Sequence, residues 1–110
     1  MPWLASPALL TRTARLQGSS ALTEVNLKRN NMGDDGATAE ADALKRNVSL
    51  LKLSLEVNRI EDSGATQIAD ALAINATLTS IELAGNPFTP AALGLIQSAV
   101  QRNGKVRLFT

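Results

Sequence analysis

A repeat of 28 residues constrains the fold of this chain more than any other feature of its sequence. Apolar residues and asparagines recur together at that spacing, so each copy reads L-x-x-φ-x-L-x-x-N-x-φ, where φ is apolar. The columns are Leu22, Leu50, Leu78 and Val106; Val25, Leu53, Ile81 and Phe109; Leu27, Leu55 and Leu83; Asn30, Asn58 and Asn86; and Met32, Ile60 and Phe88. A second block of each copy contains Leu44, Leu72 and Val100, followed by Asn47, Asn75 and Asn103. Agreement of so many columns at one spacing indicates a chain of equivalent structural units.

Each unit combines a strand pattern with a helix pattern. Leu53 and Leu55 lie two residues apart, as in a strand with one buried face, and the asparagine that follows is expected to bond loop backbone groups. The buried stripe of a helix is predicted at Ala65, Ile68, Ala69 and Leu72, and again at Leu93, Ile96 and Val100.

The helix ends are also predicted from residue type. Asp34, Asp62 and the pair Thr89–Pro90 occupy positions that favour an N-cap. Asn47, Asn75 and Asn103 are predicted to end the helices in the left-handed conformation that asparagine tolerates. The predicted order is therefore strand, turn, helix, turn.

One such unit cannot bury its own apolar face, so neighbouring units must stack. Stacking predicts an α/β solenoid, a short right-handed horseshoe with a parallel sheet inside and helices outside. The core must be aliphatic, because aromatic residues make up only 3% of the chain.

The matching segments resemble the leucine-rich repeat family, in particular its long, ribonuclease-inhibitor-like class. They are LTEVNLKRNNMGDDGATAEADALKRN, LLKLSLEVNRIEDSGATQIADALAIN and LTSIELAGNPFTPAALGLIQSAVQRN, within residues 22–103. They are similar to the repeats of tropomodulin-type actin-capping proteins, of Ran GTPase-activating proteins and of innate-immune receptors. The resemblance implies a repeat scaffold that binds other proteins, and it does not choose among these classes.

The two ends of the chain depart from the full repeat. Residues 1–21 are expected to form an N-terminal segment with a partial capping helix from Leu9 to Leu16, and a transit peptide is the alternative. Residues 22–110 are expected to form the repeat domain, with three repeats and the start of a fourth strand at Val106. Because no helix would cover that strand, we expect the chain to be a fragment of a longer array, or its open strand to pair with another chain.

Glu40 interrupts the apolar helix stripe at the position that Ile68 and Ile96 occupy in the later repeats. A lone buried carboxylate would be costly. One hypothesis pairs Glu40 with Arg12, one unit earlier. The alternative is that Glu40 reaches solvent past small neighbours such as Ala37 and Ala41.

The residue types present argue against catalysis. The chain contains no cysteine and no histidine, which excludes a cysteine nucleophile and removes the commonest general base and the commonest metal ligand. Asp34–Asp35 and Glu61–Asp62 fit helix starts better than a calcium site, and Asn47 and Asn75 fit helix ends better than glycosylation sites. We therefore expect no enzymatic activity, no catalytic residue, no metal and no cofactor.

Other classes of partner and location are also limited by the sequence. Dispersed bases and few aromatics argue against nucleic acid, and the apolar stretches are too short for a membrane helix. We expect a cytoplasmic location, since no secretory segment is visible.

The remaining candidate site is the concave face of the predicted sheet. Its outward positions are Glu24, Lys52 and Ser80; Asn26, Ser54 and Glu82; and Lys28, Glu56 and Ala84. We expect these residues to bind an unidentified protein partner, with the chain acting as a rigid interaction scaffold. Two alternatives remain, namely a regulatory domain of the GTPase-activating or actin-capping type and an oligomerising fragment that associates through its open C-terminal strand.

Overall fold

The computed structural model describes residues 23–110 and alternates strands with helices. The strands are β1 (Glu24–Asn26), β2 (Lys52–Ser54), β3 (Ser80–Glu82) and β4 (Arg107–Phe109). The helices are α1 (Gly33–Arg46), α2 (Asp62–Ile74) and α3 (Pro90–Asn103). This order confirms the predicted α/β solenoid, whose helices pack beside one another in chain order.

The four strands form one parallel sheet in the order β1-β2-β3-β4. Val25 pairs with Leu53 and Leu53 with Ile81, so equivalent residues of successive repeats lie opposite each other. The ladder continues past the strands, because Leu27 N–H donates to Ser54 O at 2.9 Å and Leu55 N–H donates to Glu82 O at 2.8 Å. The predicted alignment of the leucine columns is confirmed.

The last strand departs from the 28-residue spacing. Ile81 pairs with Leu108, 27 positions later, and Glu82 pairs with Phe109. The prediction that Phe109 continues the buried column of Val25, Leu53 and Ile81 is therefore wrong. Leu78 and Ile81 are separated by two residues, whereas Val106 and Leu108 are separated by one, so the strand reaches its partner one residue early. Because a strand alternates its faces, this slip turns Phe109 outward.

The core is aliphatic, as the composition predicts. Leu53, Leu55, Ile81 and Leu83 from the sheet pack with the helical residues in one cluster, each 1% exposed or less. The stripe of α2 is confirmed, since Ala65, Ile68, Ala69 and Leu72 are all buried. The stripe of α3 is partly wrong, because its buried residues are Ala92, Ile96 and Ala99, whereas Leu93 and Val100 are only half-buried.

The asparagines that follow the strands connect the repeats. Asn58 N–H donates to Asn86 Oδ1 at 2.9 Å, and Asn30 N–H donates to Asn58 Oδ1 at 2.7 Å. Asn58 Nδ2 donates to Leu27 O in the preceding repeat at 2.9 Å. These bonds confirm that stacked asparagines satisfy loop backbone groups, and they do so across repeats.

The asparagines that follow the helices are also buried connectors. Helices α1 and α2 end directly before Asn47 and Asn75, as predicted, but both asparagines are extended, with φ of −75° and −66°. The predicted left-handed conformation is thus wrong there, and in the third repeat Gly104 adopts it, with φ of 76°. Asn75 Nδ2 donates to Leu44 O and Asn47 O, and its Oδ1 accepts from Thr77 N–H and Leu78 N–H. This burial and bonding give the asparagine a structural role in place of a glycosylation site.

The aspartates near the helix starts bond to the next helix along the stack. The N-cap residues of α1 and α2 are Met32 and Glu61, and neither makes a side-chain cap. The prediction that Asp34 and Asp62 cap their own helices is therefore wrong. Asp34 Oδ1 instead accepts from Glu61 N–H at 2.7 Å and Gly64 N–H at 3.0 Å, at the start of α2.

At α3 the predicted cap of Thr89 and Pro90 is confirmed. The Thr89 hydroxyl accepts from Ala92 N–H at 3.3 Å, and Pro90 begins the helix. Asp62 accepts from Thr89, at 2.9 Å from its N–H and at 2.6 Å from its hydroxyl. Each aspartate therefore joins two repeats at the positive ends of adjacent helices.

Glu40 is 1% exposed, so the alternative in which its carboxylate reaches solvent is wrong. Arg12, its predicted partner, lies outside the described residues, as do the N-terminal segment 1–21 and its capping helix. The pairing and the segment boundary stay predictions. Within residues 23–110, the helices fall short of the length and apolar character that crossing a membrane requires.

Candidate protein-binding face

The exposed face of the sheet, which we call the concave face, is built by strand alternation. In β1 and the two residues after it, Val25 and Leu27 are buried while Glu24, Asn26 and Lys28 are exposed. The pairing register places Glu24 beside Lys52 and Lys52 beside Ser80, and it likewise places Asn26, Ser54 and Glu82 in one row. The sequence-predicted positions are thus brought together on one surface.

The predicted positions differ in how much they can offer a partner. The exposed ones are Glu24, Asn26, Lys28 and Lys52, and the half-buried ones are Glu56, Ser80, Glu82 and Ala84. Ser54 is only 4% exposed, and its hydroxyl donates to Glu56 Oε1 at 3.3 Å. Ser54 therefore supports Glu56 and contributes no contact surface.

Charges at the N-terminal half of this face are matched within it. Lys52 Nζ lies 3.8 Å from Glu24 Oε1, and Lys28 Nζ lies 3.8 Å from Glu56 Oε1. Three of these four side chains are exposed and Glu56 is half-buried, so each pair contributes about 1 kcal/mol or less to stability. Their effect is to leave this half of the face nearly neutral.

Strand β4 adds two residues that the sequence analysis missed. Arg107 pairs with Ser80 in the first row, and Phe109 pairs with Glu82 in the second row. Both are exposed, Phe109 at 49%. The signal that could have found them is the spacing of Val106 and Leu108, which by itself indicates a strand whose intervening and following residues face outward.

These additions create a basic corner at the C-terminal end of the concave face. An open depression of about 550 Å³ lies there, and its lining includes Lys52, Ser80, Glu82, Lys105, Arg107 and Phe109. Among residues 23–110, neither Lys105 nor Arg107 has a carboxylate within ion-pair distance. The corner therefore differs from the neutralised half in both charge and aromatic content.

The described residues show no cluster of metal-ligating side chains, and one carboxyl among them has a shifted pKa. Within the described range, no three side chains of the metal-ligating types come together. Hydrogen bonds from the Thr89 hydroxyl and then the Thr89 N–H hold the pKa of Asp62 below its ordinary value of 3.8. The cause is a contact at the start of α3, where Thr89 caps the helix.

Part of the chain matches a known family of repeats. The family profile described as "Leucine Rich repeat" matches residues 18–39 and 46–69. No curated protein sequence matches the chain significantly.

Two solved structures share the fold. A leiomodin-1 domain described as actin-binding site 2 gives a TM-score of 0.78 at 24% identity, covering 94% of this chain. The tropomodulin C-terminal domain of Caenorhabditis elegans gives 0.81 at 17% identity, covering all of this chain.

This chain spans only 61% and 64% of the lengths of those two structures. At such identities the likeness concerns the fold. The two profile-matched segments resemble leucine-rich repeats, and the chain has the fold of a short α/β solenoid of the leucine-rich repeat type.

Proposed function

We propose that this protein-interaction module binds its partner through the concave face, and that actin is that partner. The observation that carries the choice of face is the exposure of Arg107 and Phe109 on β4. Arginine and aromatic side chains dominate the energetics of protein interfaces. The positions predicted from the sequence contain neither type, so the slip of β4 supplies the anchors that they lack.

The choice of actin rests on the leiomodin-1 domain, which is described as actin-binding site 2. Of the two regulatory alternatives, the GTPase-activating and the actin-capping type, this neighbour favours the second. The likeness is one of fold, so the assignment stands or fails with a binding measurement.

The size of the face limits the expected affinity. A standard interface uses about 20–30 residues on each side. The accessible predicted positions, with Arg107 and Phe109 added, fall well below that range. We therefore expect weak binding by this chain alone.

A matched pair of tryptophan substitutions tests the proposal. Ser80 is half-buried at the centre of the concave face, whereas Ser98 is exposed on α3, on the helical side. Binding to actin is measured by co-sedimentation with filaments and by fluorescence titration of labelled monomers. Ser80→Trp should weaken binding about tenfold because the bulky ring separates the surfaces, and Ser98→Trp should leave it unchanged.

Circular dichroism and urea unfolding of both variants establish that each is folded. Equal loss in both variants, or loss in Ser98→Trp alone, contradicts the choice of face. Absence of saturable binding by the unsubstituted chain to both forms of actin contradicts the choice of partner.

The proposal also includes a non-enzymatic role, a cytoplasmic location and a division between residues 1–21 and 22–110.

Self-association is the alternative that one observation favours, because β4 is an edge strand of the sheet. Edge strands present unpaired backbone groups that a second chain can bond. Sedimentation velocity at several concentrations tests it: a mass that rises with concentration supports pairing through β4, and a constant monomer mass excludes it.

A further inference from the structure

The basic corner points to the chemistry of the segment that it recognises. We propose that Lys52, Lys105 and Arg107 bind the side-chain carboxylates of an acidic peptide segment, while Phe109 packs against an apolar side chain within that segment. This inference rests on the proposed function, since it names the chemical class of the partner's contact segment.

The first argument is the charge balance of the corner. Its lining includes three basic side chains and one acid, Glu82. Lys52 is paired with Glu24 at 3.8 Å, but both groups are exposed, so the pair is weak and can exchange partners. Lys105 and Arg107 have no such acid among the described residues, which leaves their charge available to a ligand.

The second argument is that the surrounding chain reinforces this charge. From Leu83 to Thr110 the sequence contains Arg102, Lys105 and Arg107 and no aspartate or glutamate. One sign of charge in one region raises the local concentration of oppositely charged segments and steers their approach. The opposite end of the face lacks this bias, because it contains the acids Glu24 and Glu56, and Glu56 lies within ion-pair distance of Lys28.

Phe109 and Glu82 favour a peptide over a nucleic acid as the ligand of the corner. Phe109 is 49% exposed beside Glu82. The carboxylate of Glu82 would repel a continuous phosphate backbone, yet it can accept hydrogen bonds from the N–H groups of a peptide. Recognition of single-stranded nucleic acid also uses several stacking aromatics, and the described residues of this face include one, Phe109.

The test uses the full 110-residue chain and a fluorescein-labelled peptide in which glutamates flank a central leucine. Fluorescence anisotropy gives the affinity. Control peptides carry glutamine for every glutamate, or glycine for the leucine. We expect saturable binding of the acidic peptide that weakens as salt is raised, and no binding of the glutamine peptide.

Protein variants locate the site. The double variant Lys105→Gln, Arg107→Gln should weaken binding about tenfold, whereas Arg59→Gln, which removes one charge outside the corner, should change it less than about twofold. Phe109→Ala should weaken binding of the leucine peptide and leave the glycine peptide unaffected. Circular dichroism confirms that each variant is folded.

Three results overturn the inference. The first is that the acidic peptide does not bind saturably, and the second is that the glutamine peptide binds with the same affinity. The third is that the double variant and Arg59→Gln lose the same amount of affinity. Tighter binding of a single-stranded oligonucleotide of the same charge would assign the corner to nucleic acid instead. Actin binding that responds to Ser80→Trp while the peptide fails would leave the proposed function in place, so the two failures are distinguishable.

Discussion

The contacts between successive repeats, which we call joints, keep the 28-residue spacing, whereas the last strand does not. At the joints, side chains 28 positions apart repeat the same bonds, as when Asn75 Nδ2 donates to Asn47 O and Asn103 Nδ2 donates to Asn75 O. At β4 the spacing between paired residues shortens to 27. Leu108 therefore takes the place opposite Ile81, and Phe109 lies opposite Glu82. The regular joints hold the solenoid together, and the irregular strand gives the concave face its distinctive surface.

The largest expected effect is at the buried joint of Asn75. Asn75→Leu removes the acceptor of the Thr77 and Leu78 N–H groups and the donor to Leu44 O and Asn47 O. Buried groups without partners cost about 1–3 kcal/mol each, so we expect a loss of about 3 kcal/mol in the free energy of unfolding by urea. Asn26→Leu, on the exposed face, is the control and should change it by less than about 0.5 kcal/mol. Equal effects would show that the joint does not carry the stability assigned to it.

Two glycines in helices differ in the space that surrounds them. A Cβ at Gly64 would lie 2.7 Å from Ile60 Cγ2 and 2.9 Å from Ala37 Cβ, whereas a Cβ at Gly94 would meet nothing within 4 Å. We expect Gly64→Ala to destabilise the protein by about 2 kcal/mol through overpacking between α1 and α2. Gly94→Ala should stabilise it by about 0.5–1 kcal/mol, because alanine favours the helix. Thermal or urea unfolding measures both, and a gain at Gly64 would contradict the close approach.

The slip of β4 predicts unequal costs at two adjacent residues. Leu108 is half-buried and packs against the core, whereas Phe109 lies on the exposed face. Leu108→Ser should lower the free energy of unfolding by about 1–2 kcal/mol. Phe109→Ser should change it by less than about 0.5 kcal/mol. A larger loss in the free energy of unfolding for Phe109→Ser than for Leu108→Ser would mean that Phe109 belongs to the buried column.

The smallest expected effect is a pH dependence at the joint between α2 and α3. Bonds from the Thr89 hydroxyl and N–H lower the pKa of Asp62 below 3.8, so the charged carboxylate stabilises the fold above that pH and loses this contribution as the pH falls below it. Thr89→Val removes the hydroxyl and should raise the pKa of Asp62 toward 3.8, as NMR titration of the carboxyl carbon would show. An unchanged pKa would mean that the hydroxyl bond is not populated in solution.

The sequence predicted the parts of the fold that depend on repetition. The leucine columns, the helix stripe at Ile68 and Leu72 and the asparagine bonds across repeats all follow from residue type and spacing. The direction of the aspartate caps did not follow, because helix-capping rules describe one helix and Asp34 bonds to the next one. Such a contact exists only once the repeats are stacked.

The sequence predicted the candidate site only in part, because the repeat spacing changes at β4. At 28-residue spacing Phe109 fits an apolar column as well as Leu108 does at 27, so periodicity alone favoured the wrong residue. Pairing with β3 decides between them, because Leu108 lies opposite Ile81. The predicted positions on the first three strands needed no such choice, since their spacing does not change.

The surface of the concave face depends most on which side chain of β4 faces outward, and cysteine accessibility tests this directly. The chain has no native cysteine, so Leu108→Cys and Phe109→Cys each place one thiol in an otherwise unreactive protein. In native buffer we predict that the thiol at position 109 reacts with a maleimide at close to the rate of an unfolded control, and that the thiol at 108 reacts at least about tenfold more slowly. Faster reaction at 108 than at 109 would contradict the slipped register, and with it the basic, aromatic corner of the concave face.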